Sequence, residues 1–163
     1  MGNIYIYSEP IRSGKTTAVM NWLKKKPKQA AGFLTPDVDG KRKLFDIAAD
    51  QYIDFEKDEQ SCPDHTRIGN FIFDNAVFRQ GQELLLNASI NWPKWLIVDE
   101  IGKLEMERKE GWEPAVSQVI KLHNNIDCQC DMLLVVRDHL LNEAIMHYGL
   151  HAAMVLDKRF FLL

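Results

Sequence analysis

Apolar and polar positions change period along the chain, and each change marks an element. Gly2 to Tyr7 alternates around Ile4 and Ile6 and reads as a first strand. Beyond a loop at Glu9 to Gly14, the residues Ala18, Val19, Trp22 and Leu23 fall on one helical face. That helix ends in the cluster Lys24, Lys25 and Lys26, which suits its dipole, and at Pro27. Ala30 to Thr35 is an extended run broken by Pro36. Asp39-Gly40 is a two-residue hairpin signal, and Lys43 to Ala49 and Gln51 to Phe55 read as further strands of an antiparallel meander. Glu56 to His65 is polar and acidic, an expected exposed loop, and Arg67 to Phe73 reads as one short strand. Asp74 or Asn75 is placed to cap a helix through Phe78, Leu84, Leu85 and Ala88, ended by Asn91-Trp92-Pro93.

The second half carries two strands without alternation. Trp95 to Val98 and Met132 to Val136 are continuous apolar runs, the pattern of parallel strands buried on both faces. Between them Glu110 to Asn125 is an expected amphipathic helix with Trp112, Val116, Val119, Ile120 and His123 on one face. After Val136, Asp138 is placed as N-cap of a helix bearing Leu140, Leu141, Ala144, Ile145 and Tyr148, closed by Gly149. Ala152 to Leu156 and Arg159 to Leu162 read as a closing strand pair. Strands alternating with helices predict an α/β fold, and 163 residues fit a single domain over 1–163.

Composition narrows the function classes. Twenty basic against 23 acidic residues give a net charge of -3, so no basic field invites nucleic acid. No apolar run is long enough to cross a bilayer, and no signal core follows the N-terminus, so a cytoplasmic protein is expected. Cys62, Cys128 and Cys130 are odd in number and lack paired zinc spacing, so free thiols are expected. Trp92 and Trp95 are candidates for an interface, and a monomer or small homo-oligomer is expected.

The chemistry concentrates at two places. Glu9 to Thr17, E-P-I-R-S-G-K-T-T, joins a strand to a helix and ends in Gly14-Lys15-Thr16. In that context a loop of backbone N–H groups and a helix N-terminus hold phosphate. Ser13, Gly14, Lys15 and Thr16 would cradle it, with Lys15 on the β and γ oxygens, the Thr16 hydroxyl on Mg²⁺ and Thr17 on the α-phosphate. Arg12 would lie within reach of phosphate too. The first glycine of the full Walker A pattern is replaced by Glu9, which adopts a positive φ poorly. The second place is Asp99-Glu100, two carboxylates ending a buried strand, at the edge where open α/β sheets bind ligands. Asp99 would serve the Mg²⁺ shell in the Walker B manner, and Glu100 would polarise the attacking water.

The string Asp99-Glu100-Ile101-Gly102-Lys103-Leu104-Glu105 resembles the D-E-I-G-[KP]-[ML]-E segment of a family of small nucleoside-triphosphatases that includes the human cancer-related nucleoside-triphosphatase. Gly32-Phe33-x-Thr35 with Val38, Gly40-Lys41-Arg42 and Phe45-Asp46 resembles its second block, and Arg67-Ile68-Gly69-Asn70-Phe71 its R-V-G-x-Y block. The family loop G-x-P-G-x-G-K-T-T is altered at Glu9, Ile11, Arg12 and Ser13, and Leu44 stands where the second block has glycine before its phenylalanine. Arg12-Ser13-Gly14-Lys15 is also similar to the loop of the bifunctional cobinamide kinases.

The resemblance implies a three-layer P-loop NTPase fold. Its sheet would be mixed but mostly parallel, with an antiparallel meander extension and an additional strand between the loop strand and the acidic strand. It also implies Mg²⁺-dependent hydrolysis of a nucleoside triphosphate such as ATP or GTP to the diphosphate and phosphate. Low base selectivity is expected, with Glu100 as base. Arg137, ending a buried strand, is the candidate arginine for the γ-phosphate, or else the partner of a nearby acid; Arg42 is a further candidate. A nucleotide or small-molecule kinase needs the same loop and metal, and a binding module without turnover would fit the altered loop.

Overall fold

The computed structural model describes residues 1–25, 29–125 and 127–163. Lys26 and Pro27, the expected end of the first helix, lie outside the described residues.

The buried runs form the centre. Strand β1 (Ile4–Tyr7) is followed by helix α1 (Lys15–Lys25) and strand β2 (Ala30–Leu34). The meander supplies β3 (Asp37–Val38), β4 (Lys41–Asp46) and β5 (Gln51–Asp54), and a second small sheet is built from β6 (Glu56–Lys57), β7 (His65–Ile68) and β8 (Phe71–Asp74). Helix α2 (Asn75–Ala88) leads to β9 (Trp95–Ile101), α3 (Ala115–Asn125), β10 (Asp131–Val136), α4 (Leu141–Tyr148) and β11 (Met154–Leu156). The main sheet runs β11-β1-β10-β9-β2-β4-β3, with β5 paired to β4. Its strands β11, β1, β10, β9 and β2 are parallel, and the meander joins antiparallel through β4. β10 therefore lies between the loop strand β1 and the acidic strand β9.

Alternation along the buried strands divides two cores. Ile6, Leu96, Val98, Met132, Leu134 and Val136 face α2, α3 and α4, whereas Tyr7, Ile97, Leu133 and Val135 face α1 and a short 3₁₀ segment, Lys158–Leu162. Helices on both faces of the sheet give three layers. Aromatic rings tie the small sheet to the main one: Phe73 of β8 lies 4.8 Å from Phe55, Phe55 lies 5.5 Å from Trp112, and Trp112 lies 4.3 Å from Phe33 of β2, centroid to centroid. Such pairs each add about 0.5–1.5 kcal/mol beyond the area they bury.

Several local expectations hold. Asp39 and Gly40 take φ of 54° and 82° and close the β3–β4 hairpin as a two-residue turn. Asp74 caps α2 by accepting a bond from the Ala76 amide at 2.9 Å, a contribution of about 1 kcal/mol. The three cysteines are buried free thiols, and burial pushes Cys130 up to about 12.

Other expectations are corrected. Arg67 to Phe73 is a hairpin, not one strand: Gly69 takes φ 58° and Ile68 pairs with Phe71 across the turn. The expected loop from Glu56 to His65 contains β6, a 3₁₀ turn over Glu59–Ser61 and the first residue of β7. β4 stops at Asp46, whose carboxylate accepts from the Ala49 amide and turns the chain. The helix expected from Glu110 starts only at Ala115, because a residue preceding proline is biased away from helical backbone and Glu113 precedes Pro114. Asp138 opens a 3₁₀ turn over Asp138–Leu140 ahead of α4 rather than capping α4 itself. The expected strand Arg159 to Leu162 is the 3₁₀ segment, capped by Asp157 on the Arg159 amide. No described helix is long and apolar enough to cross a membrane.

Candidate active site

The loop between β1 and α1 solves its missing glycine locally. Its left-handed residues are Arg12 at φ 57° and Gly14 at φ 80°; Glu9 is not among them. Glycine thus serves the left-handed position 14, and the backbone at Glu9 does not call for one. The Ser13 amide donates to the Pro10 carbonyl at 3.2 Å, and the Gly14 carbonyl accepts from the Ala18 amide at 2.9 Å, opening α1. Lys15 Nζ folds back into the loop, donating to the carbonyls of Glu9 at 2.9 Å and Pro10 at 3.0 Å. Ser8 Oγ and Ser13 Oγ are buried without a partner. Arg12 and Thr17 are exposed, Arg12 on the loop and Thr17 one residue beyond Thr16 in α1.

The acidic pair reaches this loop from β9. The Thr16 hydroxyl donates to Asp99 Oδ2 at 2.8 Å, linking positions 83 residues apart. The same oxygen accepts from the Thr35 amide at 3.0 Å and lies 3.2 Å from the Thr35 hydroxyl. Asp99 is fully buried; burial and the neighbouring Glu100 raise its pKa, opposed by the Thr35 and Thr16 hydrogen bonds and by Arg42.

In a regular strand Asp99 and Glu100 would point to opposite faces. A bulge prevents this. Leu134 pairs with Val98 and Val136 with Ile101, so β9 carries one extra residue there, and Glu100 takes φ 63°. The Thr35 hydroxyl consequently lies within 3.2 Å of Asp99 and 3.4 Å of Glu100. A left-handed glutamate stores about 1–3 kcal/mol of strain, which surrounding contacts must outweigh. Two guanidinium groups make them: Arg42 from β4 pairs with Glu100 Oε2, and Arg137 from the end of β10 pairs with Oε1 at 3.1 Å. Burial pushes the Glu100 carboxyl up, but Arg42 and Arg137 together outweigh it and hold its pKa below the usual carboxylate range. Burial works against the charge of Arg42, and Glu100 more than restores it.

Thr16, Asp99, Glu100 and Arg137 thus meet at one sheet edge, with Ser13, Gly14 and Lys15 in the adjoining loop. The acid expected as the alternative partner of Arg137 is Glu100 itself. Thr35 is the residue that sequence reasoning left without a role. Its signal was its place in the Gly32-Phe33-x-Thr35 block, ending a strand that pairs beside β9. The Thr16 hydroxyl and Asp99 carboxylate stand 2.8 Å apart and offer oxygen donors alone, a set that suits Mg²⁺ rather than a soft metal.

Among solved structures, the chain is similar to THEP1 from the hyperthermophile Aquifex aeolicus, with a TM-score of 0.69. The likeness covers 95% of this chain and 88% of that one at 21% identity, which carries the fold. Among curated proteins, the mouse (Mus musculus) large ribosomal subunit protein mL54 is 29% identical over 76 residues, 43% of this chain and 56% of that protein's length. The family model described as NTPase matches residues 3–146, from the start of β1 through most of α4. The chain belongs to this NTPase family and has its P-loop α/β fold.

Proposed function

We propose that residues 1–163 form one nucleotide-binding domain that hydrolyses a nucleoside triphosphate such as ATP or GTP to the diphosphate and phosphate, dependent on Mg²⁺ and with little base selectivity. The observation that carries this reading is the 2.8 Å bond from Thr16, at the start of α1, to Asp99, at the edge of β9, with Glu100 beside it. Lys15 would exchange two neutral carbonyls for the β and γ oxygens, a stronger charge-assisted contact. The amides of Ser13, Gly14, Lys15 and Thr16 and the N-terminus of α1 would share the phosphate charge. Thr17 would donate to the α-phosphate, and Arg12 would add a further phosphate contact.

Thr16 and Asp99 would hold Mg²⁺, which when bound neutralises charge on the β and γ oxygens. Glu100 would orient a water in line with the γ-phosphorus and accept its proton as the new P–O bond forms. The bridging bond to the β-phosphate breaks, its electron pair leaves with the diphosphate, and Arg137 would stabilise the charge spread over the γ oxygens.

The test is phosphate release from γ-labelled ATP and GTP with Mg²⁺, run with and without added nucleosides and nucleotides. Free labelled phosphate, at similar rates for both bases, is the expected result. Label on an acceptor would make the protein a kinase, and tight binding without release would make it a binding module.

A further inference from the structure

Both oxygens of Glu100 are occupied by guanidinium groups, Oε2 by Arg42 and Oε1 by Arg137. A carboxylate spent on two charge-assisted bonds is a poor acceptor for the proton of a water molecule. The pairing seen here is therefore a resting arrangement that has to open before the base can act.

The two arginines differ in how freely they can leave. Arg137 enters from the end of β10, lies over the Gly102 turn and keeps its Nε buried without a partner. Arg42 stands on the meander, and its amide is anchored by Glu56 Oε2 at 2.9 Å. Its side chain is 36% exposed and lines a cleft of about 290 Å³ with Val38, Lys43 and Glu56. It has a fixed base and open space beside it.

We propose that Arg42 is a γ-phosphate sensor that exchanges partners. Without a triphosphate it closes on Glu100; with one in the loop its guanidinium moves to the γ-phosphate and frees Oε2 as the proton acceptor. This inference rests on the hydrolytic reading of Asp99 and Glu100. A terminal phosphate carries more charge than a carboxylate and accepts the same two-pronged donor, which supplies the differential affinity that a change of partner requires. A nucleoside diphosphate has no γ group and leaves the pair closed. Arg42 thereby adds to Lys15 and Arg137 a contact that distinguishes substrate from product.

The experiment measures Kd for a non-hydrolysable triphosphate and for the matching diphosphate, both with Mg²⁺. It uses the full chain as wild type, Arg42→Gln, Glu100→Gln and the double variant. The wild type is expected to prefer the triphosphate, and Arg42→Gln to reduce this preference by about tenfold, the scale of one charge-assisted contact. Glu100→Gln releases Arg42 and tightens the triphosphate several-fold, a gain absent when Arg42 is also replaced.

Undiminished preference in Arg42→Gln overturns the proposal. So does an equal gain from Glu100→Gln with and without Arg42, since that is only the removal of a negative charge. If Arg42→Gln does not fold, Arg42→Lys carries the test: it keeps the charge but not the fork, and undiminished preference overturns the proposal equally. No turnover enters these measurements. A wild type that releases no phosphate would sink the hydrolase reading and leave this one to be judged on affinity alone.

Discussion

Glu100 and Glu105 stand five positions apart in one acidic segment, and the fold gives them opposite environments. Glu100, turned by a bulge to the sheet edge, meets two guanidinium groups and is held ionised. Glu105 lies in the π-helical turn Leu104–Arg108, 2% exposed, with one long bond from the Gly102 amide at 3.4 Å and Oε2 unpartnered. Burial, with Glu113 and Glu100 nearby, pushes its pKa well above the ordinary 4.5. Glu113 is buried beside it, bonded to Ser117 Oγ at 2.8 Å and to the Tyr148 hydroxyl at 2.5 Å. Burial and Glu113 together raise the Tyr148 pKa strongly. Cations delivered by β4 and β10, rather than exposure alone, separate a charged edge suited to chemistry from a proton-holding pocket behind it.

The largest expected effects come from breaking the charged edge. Lys15→Ala removes the only ammonium bonded within the loop among the described residues, and should weaken triphosphate binding by about two orders of magnitude, consistent with a charged hydrogen bond of about 1.5–3 kcal/mol. Isothermal titration checks this. Thr16→Ala takes away one of the two oxygen donors that face each other at 2.8 Å. It should raise the Mg²⁺ concentration needed for half-maximal phosphate release roughly tenfold, with little change at saturating metal.

Glu105→Gln sharpens the comparison from the other side. Between pH 4.5 and its raised folded value, Glu105 holds a proton in the folded chain that the unfolded chain has lost. Wild-type stability therefore falls as pH climbs through that window. The amide needs no such proton, so the variant should melt a few degrees higher than wild type at pH 7 and equally at pH 4, with phosphate release unchanged. Thermal melts across that range, with rates alongside, test it. The smallest effect is expected from Thr35→Val, which keeps the amide bond to Asp99 but removes the hydroxyl shared between Asp99 and Glu100. A few-fold loss in kcat with unchanged nucleotide affinity is the predicted outcome.

The parts of the site legible in the sequence are those written locally. Gly14-Lys15-Thr16 between a strand and a helix, and Asp99-Glu100 ending an apolar run, announce themselves by context. The insertion of β10 between β1 and β9 followed from the family resemblance, because strand order is set by non-local pairing that periodicity does not encode. The bulge at Glu100 was hidden for a related reason: an extra residue in β9 is defined only against its partner β10. Thr35 reads as an ordinary strand end until β2 is placed beside β9. Glu9 illustrates the reverse error, since the glycine pattern implied a left-handed residue at a position where this loop does not need one. The shift of the third helix to Ala115 shows a tryptophan and a proline competing for one segment: Trp112 extends the apolar face, but Pro114 sets where the helix begins.

The most direct measurement compares phosphate release and triphosphate affinity in Glu100→Gln against wild type, in the same preparation with Mg²⁺. The amide fills the same space but is a far weaker proton acceptor, so release should fall by about two to four orders of magnitude while the nucleotide still binds. Release at the wild-type rate would contradict the account, because the sheet edge would then bind triphosphate without Glu100 taking part in its cleavage.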